Sequence, residues 1–142
     1  MTLAMLRLTV RLSLLLIIFL ALASCGSSDN PPRPITLLEN ASGSTVALRQ
    51  GQAISVSLKE NPSTGFRWEL VPGYEIFLAQ QGDSQYVADS VPVGMAGGGG
   101  VRTFNFMAIA SGNCTLQLIY HQPWATGVAP AKTFEAAIAV GN

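Results

Sequence analysis

Histidine is nearly absent from this 142-residue sequence, with His121 its only copy. Zinc sites need several ligands at short spacings, and acid–base or covalent catalysis needs paired groups. His121 has no partner acid, serine or second ligand in a recognisable spacing, so no catalytic residue, metal site or cofactor is expected. Cysteine is almost as scarce: Cys25 and Cys114 are the two thiols, and if Cys25 is lipidated then Cys114 has no partner and a disulfide-stapled fold is excluded. Cys114 falls in an alternating run and reads as a small buried apolar residue. Charge is thin as well, at 11% of residues with eight basic against eight acidic. No basic patch with interleaved aromatics is present, so nucleic acid is excluded as a partner. A phosphate-binding loop is missing too. The glycine-rich run Gly94 to Gly100 precedes a strand instead of following one, no helix begins after it, and no lysine–serine pair closes it.

What the chain does have at its start is a sorting signal. Arg7 and Arg11 form a basic segment, followed by the apolar stretch Leu12 to Ala23, broken by Ser13. That stretch is shorter than the roughly 20 residues a bilayer span needs, which favours a cleaved secretion signal over residues 1–24. It closes in Leu22-Ala23-Ser24-Cys25-Gly26, which resembles the bacterial lipoprotein box. The resemblance implies cleavage before Cys25, lipidation of its thiol, export, and anchoring in the cell envelope, at the outer membrane in a double-membraned bacterium. The polar, proline-rich piece Ser27 to Pro34 cannot enter a sheet interior. Residues 25–34 therefore form a lipidated tether. Beyond residue 24 six basic residues face eight acidic ones, a net charge of −2, in a length that suits one domain over residues 35–142.

That domain reads as all-β. Helical stripes are absent and the period is two. Ile54, Val56 and Leu58 alternate with Ser55, Ser57 and Lys59; Phe66, Trp68 and Leu70 alternate with Arg67 and Glu69. Further strands are expected over Val101 to Ala108, Thr115 to Tyr120 and Phe134 to Val140, with weaker ones at Ile35 to Leu38, Thr45 to Leu48, Tyr74 to Leu78 and Gln85 to Ala88. Seven to nine short strands between Gly, Pro and Asn turns predict an immunoglobulin-like β-sandwich, with a closed barrel as the alternative. The Cys…Trp…Cys spacing of antibody domains is missing, so the inference concerns architecture. Trp68 shares the face of Phe66 and Leu70 and is assigned to the core; Phe66 suits either loop or core.

Three loop segments stand out. Asn61-Pro62-Ser63-Thr64-Gly65-Phe66 runs into an aromatic strand. Pro62 fixes φ, Asn61 can bond the backbone two residues on, and Gly65 can take φ > 0, which makes a stiff protruding loop. Gly97-Gly98-Gly99-Gly100 is either a linker or a place for close backbone approach. Gln122-Pro123-Trp124 presents a tryptophan beside a proline, either a rigid interface anchor or an aromatic folded back on the core.

In order and spacing these three segments resemble the chagasin-type inhibitors of papain-like cysteine peptidases, which carry an Asn-Pro-Thr-Thr-Gly-aromatic loop, a Gly-x-Gly-Gly loop and an Arg-Pro-Trp loop on an immunoglobulin-like sandwich. The similarity covers essentially everything after Pro34. Ser63 stands for a threonine, Gln122 for an arginine, which removes a cation, and the extra glycine with the Gly94-Met95 lead-in leaves the register of the second loop open by about one residue. The resemblance implies a monomeric, reversible inhibitor that wedges three loops into a peptidase's active-site cleft without covalent chemistry. Asn61, Pro62, Ser63, Thr64, Gly65 and Phe66 would enter nearest the catalytic centre, with Thr64 at the tip. Gly97, Gly98, Gly99 and Gly100 would lie on one side, and Gln122, Pro123 and Trp124 on the other. The alternative from another class is a surface-anchored recognition module for a non-peptidase partner.

Overall fold

Alternation of apolar and polar residues forces each strand to bury one face, and two such sheets bury each other. The computed structural model describes residues 31–90 and 98–142. The signal segment 1–24, the lipidation site Cys25, most of the tether and Gly97 lie outside the described residues. Nine strands are found among them: β1 (Ile35–Leu38), β2 (Ser44–Arg49), β3 (Ala53–Glu60), β4 (Arg67–Val71), β5 (Leu78–Gln80), β6 (Gln85–Ala88), β7 (Gly100–Ala108), β8 (Gly112–His121) and β9 (Lys132–Gly141). One sheet runs β1-β3-β7-β5, with β6 also on β7; the other runs β2-β9-β8-β4. Strands β1 and β3 pair in parallel, as do β2 and β9, and the remaining pairs are antiparallel. The fold is the β-sandwich expected from the periodicity.

The core is the meeting of the two inner faces. Ile54, Val56, Leu58, Phe104 and Phe106 come from one sheet, and Leu116, Leu118, Phe134, Ala136 and Ile138 from the other, all buried. Trp68 is buried with them, as its phase in β4 indicated. On the opposite face of the first sheet the polar members of the alternation pair across strands: Ser55 Oγ donates to Asn105 Oδ1 at 2.8 Å, and the Ser57 and Thr103 hydroxyls meet at 3.0 Å. Such cross-strand pairs pin the register, since a slip of one residue would expose the whole apolar set.

Two expectations need correction. A strand was expected over Tyr74 to Leu78, but only Leu78 belongs to one. The Tyr74 carbonyl accepts from both Phe77 N–H (3.0 Å) and Leu78 N–H (2.9 Å). This single turn brings Tyr74 and Leu78 inward at a spacing of four and leaves Ile76 72% exposed. Cys114, expected to be buried, is half-buried and packs against the edge of the core; the partial burial pushes its thiol pKa up.

Candidate functional site

Strand register places the three singled-out loops together. Glu60, the last residue of β3, pairs with Gly100, the first of β7, and Gly100 pairs on its other side with Ala88, the last of β6. In the facing sheet Arg67 of β4 pairs with His121 of β8, and Tyr120 pairs with Lys132 of β9. The β3–β4, β6–β7 and β8–β9 connections therefore emerge from the same end of the sandwich.

The first loop is a single 3₁₀ turn over Pro62–Thr64 with Pro62 at its first position. Asn61 caps it, its Oδ1 accepting from Ser63 N–H at 3.2 Å, while its carbonyl accepts from Thr64 N–H (3.1 Å) and from the Thr64 hydroxyl (2.7 Å). Gly65 closes the turn at φ 77°, its N–H donating to the Pro62 carbonyl at 3.0 Å. Pro62, Ser63 and Thr64 are exposed. The loop is rooted through Asn61 N–H, which donates to the Tyr120 hydroxyl at 3.1 Å. Beneath it Phe66 stacks on Tyr120 at 5.4 Å between ring centroids, and Tyr120 meets Trp68 at 5.0 Å. Phe66, open between loop and core, is the half-buried top of that aromatic column.

In the second loop Gly98 and Gly99 precede β7 and Gly100 begins it. Asp89 N–H donates to the Gly99 carbonyl at 2.9 Å, holding the two arms together. Room is tight at Gly99 and absent at Gly100. A Cβ on Gly99 would stand 3.3 Å from the Glu60 carbonyl, and one on Gly100 would collide with the Val87 carbonyl and the Tyr86 ring. Gly100 is buried, so its side-chain-free face is turned to its own sheet.

The third loop leans on the first. The Gln122 side-chain amide donates to the Thr64 carbonyl at 3.2 Å. Trp124 is 67% exposed, yet its ring edge lies so close over Gly65 that any Cβ there would overlap it. Ala125 N–H bonds back to the Gln122 carbonyl at 3.0 Å, turning the chain at Pro123. Of the two readings open for Trp124, burial in the core is excluded by its exposure. His121, given no role by the sequence, pairs with Glu69 across β8 and β4 at 2.7 Å.

One group at this end escaped notice in the sequence. Glu60 is 3% exposed, a buried carboxylate at the foot of the first loop, paired with Arg102. The signal was there: Glu60 continues the inward phase of Ile54, Val56 and Leu58, and Arg102 that of Phe104 and Phe106.

Comparison with known proteins identifies the family and the fold. The family model "Chagasin family peptidase inhibitor I42" matches residues 47–138. Amoebiasin-2 of Entamoeba histolytica is 26% identical over 104 residues, covering 73% of this chain and 83% of that protein. Chagasin of Trypanosoma cruzi is 27% identical over 88 residues, covering 58% of this chain and 76% of its own. The crystal structure of a cysteine protease inhibitor from Entamoeba histolytica shares the fold, with a TM-score of 0.69 at 24% identity over 77% of this chain and 96% of that one. With a family match spanning the sandwich from β2 to β9 and all three loop segments, the chain belongs to the chagasin family of peptidase inhibitors.

Proposed function

We propose that the protein is a reversible, non-catalytic inhibitor of papain-like cysteine peptidases, which sets its three-loop end into the active-site cleft as a monomer. The observation that carries the reading is the joining of the first and third loops. Trp124 seated on Gly65, with Gln122 bonded to Thr64, makes one preformed surface from two segments distant in sequence. A surface fixed before contact loses little conformational entropy on docking, so more of the contact energy remains as affinity. The turn over Pro62–Thr64 is curled by its own hydrogen bonds, and a curled backbone does not offer a peptidase the extended geometry that cleavage requires. On this reading Pro62, Ser63 and Thr64 stand nearest the enzyme's catalytic pair. Gly97, Gly98 and Gly99 bring bare backbone to one wall, and Pro123 and Trp124 supply an apolar anchor at the other. Titration into papain with a fluorogenic substrate tests it: turnover should fall to near zero close to equimolar ratio and return on dilution. Full activity at micromolar excess would favour the recognition module.

The N-terminal segment adds a place of action. Cys25 carries the lipid, residues 25–34 hold the domain off the membrane, and the target peptidase is met at the cell envelope. The lipoprotein-box resemblance and the polar proline-rich sequence support this. Mass spectrometry of the mature N-terminus should find a diacylglyceryl-modified Cys25; an unmodified N-terminus would refute the anchor.

A further inference from the structure

Drawing an ion pair out of water is a poor way to gain stability, because desolvation, nearly full for the Glu60 carboxylate and partial for the Arg102 guanidinium, offsets the attraction, and an apolar pair of similar volume often does as well. The Glu60–Arg102 pair therefore calls for another explanation, and its connections supply one. Glu60 is the last residue of β3, where the first loop departs, and its Oε2 accepts from the N–H of Trp68 in β4, just after that loop returns (3.0 Å). Its Oε1 accepts from both Nε (3.1 Å) and Nη2 (2.5 Å) of Arg102 in β7. The third guanidinium nitrogen, Nη1, reaches Ser84 Oγ at 3.4 Å. The guanidinium lies 5.3 Å over the ring of Tyr86 in β6. That same Tyr86 ring abuts Gly100, where the glycine loop enters β7. One carboxylate thus joins both feet of the first loop to the foot of the second, across the gap between the two sheets.

We propose that Glu60 and Arg102 are positioning residues for the peptidase-binding end, fixing the first loop against the glycine loop through a rigid fork that an apolar pair cannot reproduce. Two guanidinium nitrogens converging on Glu60 Oε1, with Oε2 held by Trp68 N–H, specify direction as well as distance, and such charge-assisted bonds can select one arrangement among several of similar energy. The inhibitory consequence rests on the function proposed above; the effect on loop geometry does not.

The test compares the full chain, purified in mild detergent, with the double variant Glu60→Gln/Arg102→Met, which keeps an acceptor for Trp68 N–H and similar volume but no charges. Two readouts are taken. In the free protein, amide exchange of Thr64 and Gly65 should accelerate about tenfold or more while Phe106 and Leu118 stay protected and the melting temperature holds or rises. Against papain, the inhibition constant should rise about tenfold, chiefly through faster dissociation. Unchanged exchange at Thr64 and Gly65 would overturn the proposal, whatever the peptidase does. Accelerated exchange with a wild-type chain that never inhibits papain would support the loop-fixing role and remove the inhibitor reading instead. Should the double variant not fold, Arg102→Lys, which keeps the charge but loses the fork, is read in the same way, with faster exchange supporting the proposal and wild-type exchange overturning it.

Discussion

Trp124 rests its indole on the Cα of Gly65, so the third loop is seated on the residue that closes the first. Gly65 meets two demands at once there: φ 77°, which L side chains adopt only at a cost, and the absence of a Cβ that would overlap the indole. Gly65→Ala should accordingly lower the unfolding free energy by about 1–2 kcal/mol, from backbone strain together with displacement of Trp124. Urea titration measures the first effect. Weaker inhibition beyond the loss of folded protein marks the second.

Trp124→Ala should behave differently, because the side chain is 67% exposed and contributes little to the core. Its removal should weaken peptidase binding by about 2 kcal/mol with an almost unchanged melting temperature. A collapse of stability with affinity retained per folded molecule would make Trp124 structural instead.

Gln122 occupies the position where the family pattern has arginine, and in this chain its amide ties the third loop to Thr64. Losing one exposed hydrogen bond costs about 0.5–1 kcal/mol, so Gln122→Ala should raise the inhibition constant a few-fold. Gln122→Arg, which retains a donor of sufficient reach, should restore it. Inhibition kinetics on the three proteins decide whether the tie or the charge matters.

Cys114 lies near the start of β8, at the opposite end of that strand from His121 and the loops. Burial raises its thiol pKa, so little thiolate exists at neutral pH and alkylation should be slower than for a free cysteine, accelerating as pH rises into the alkaline range. Mass spectrometry after iodoacetamide treatment follows the reaction. Modification at Cys114 should leave inhibition intact, given its distance along the strand from every loop at the binding end.

The sandwich was legible because period two is a direct image of a half-buried sheet. Gln85 to Ala88 and Ile35 to Leu38 are strands with the expected bounds, and Trp68 lies in the core its phase assigned. Tyr74 failed because a turn with Tyr74 and Leu78 four residues apart buries the same residue types that a strand would. Strand β8 runs on through His121 because Arg67 continues the pairing, a long-range cause that a local turn signal cannot carry. Within the site, the composition of each loop was readable. The seating of Trp124 on Gly65 and the Gln122–Thr64 bond were not, since they join segments separated by more than fifty residues. Glu60 and Arg102 occupied a readable phase, but a charged side chain pointing inward gains meaning only once its counter-charge is found across the strand.

The most direct measurement is a crystal structure of the protein bound to papain. The account expects Pro62, Ser63 and Thr64 in the active-site cleft beside the catalytic cysteine, unmodified and uncleaved, with Gly98–Gly99 and Trp124 on opposite walls. Contact through the face of either sheet, with all three loops turned to solvent, would contradict it.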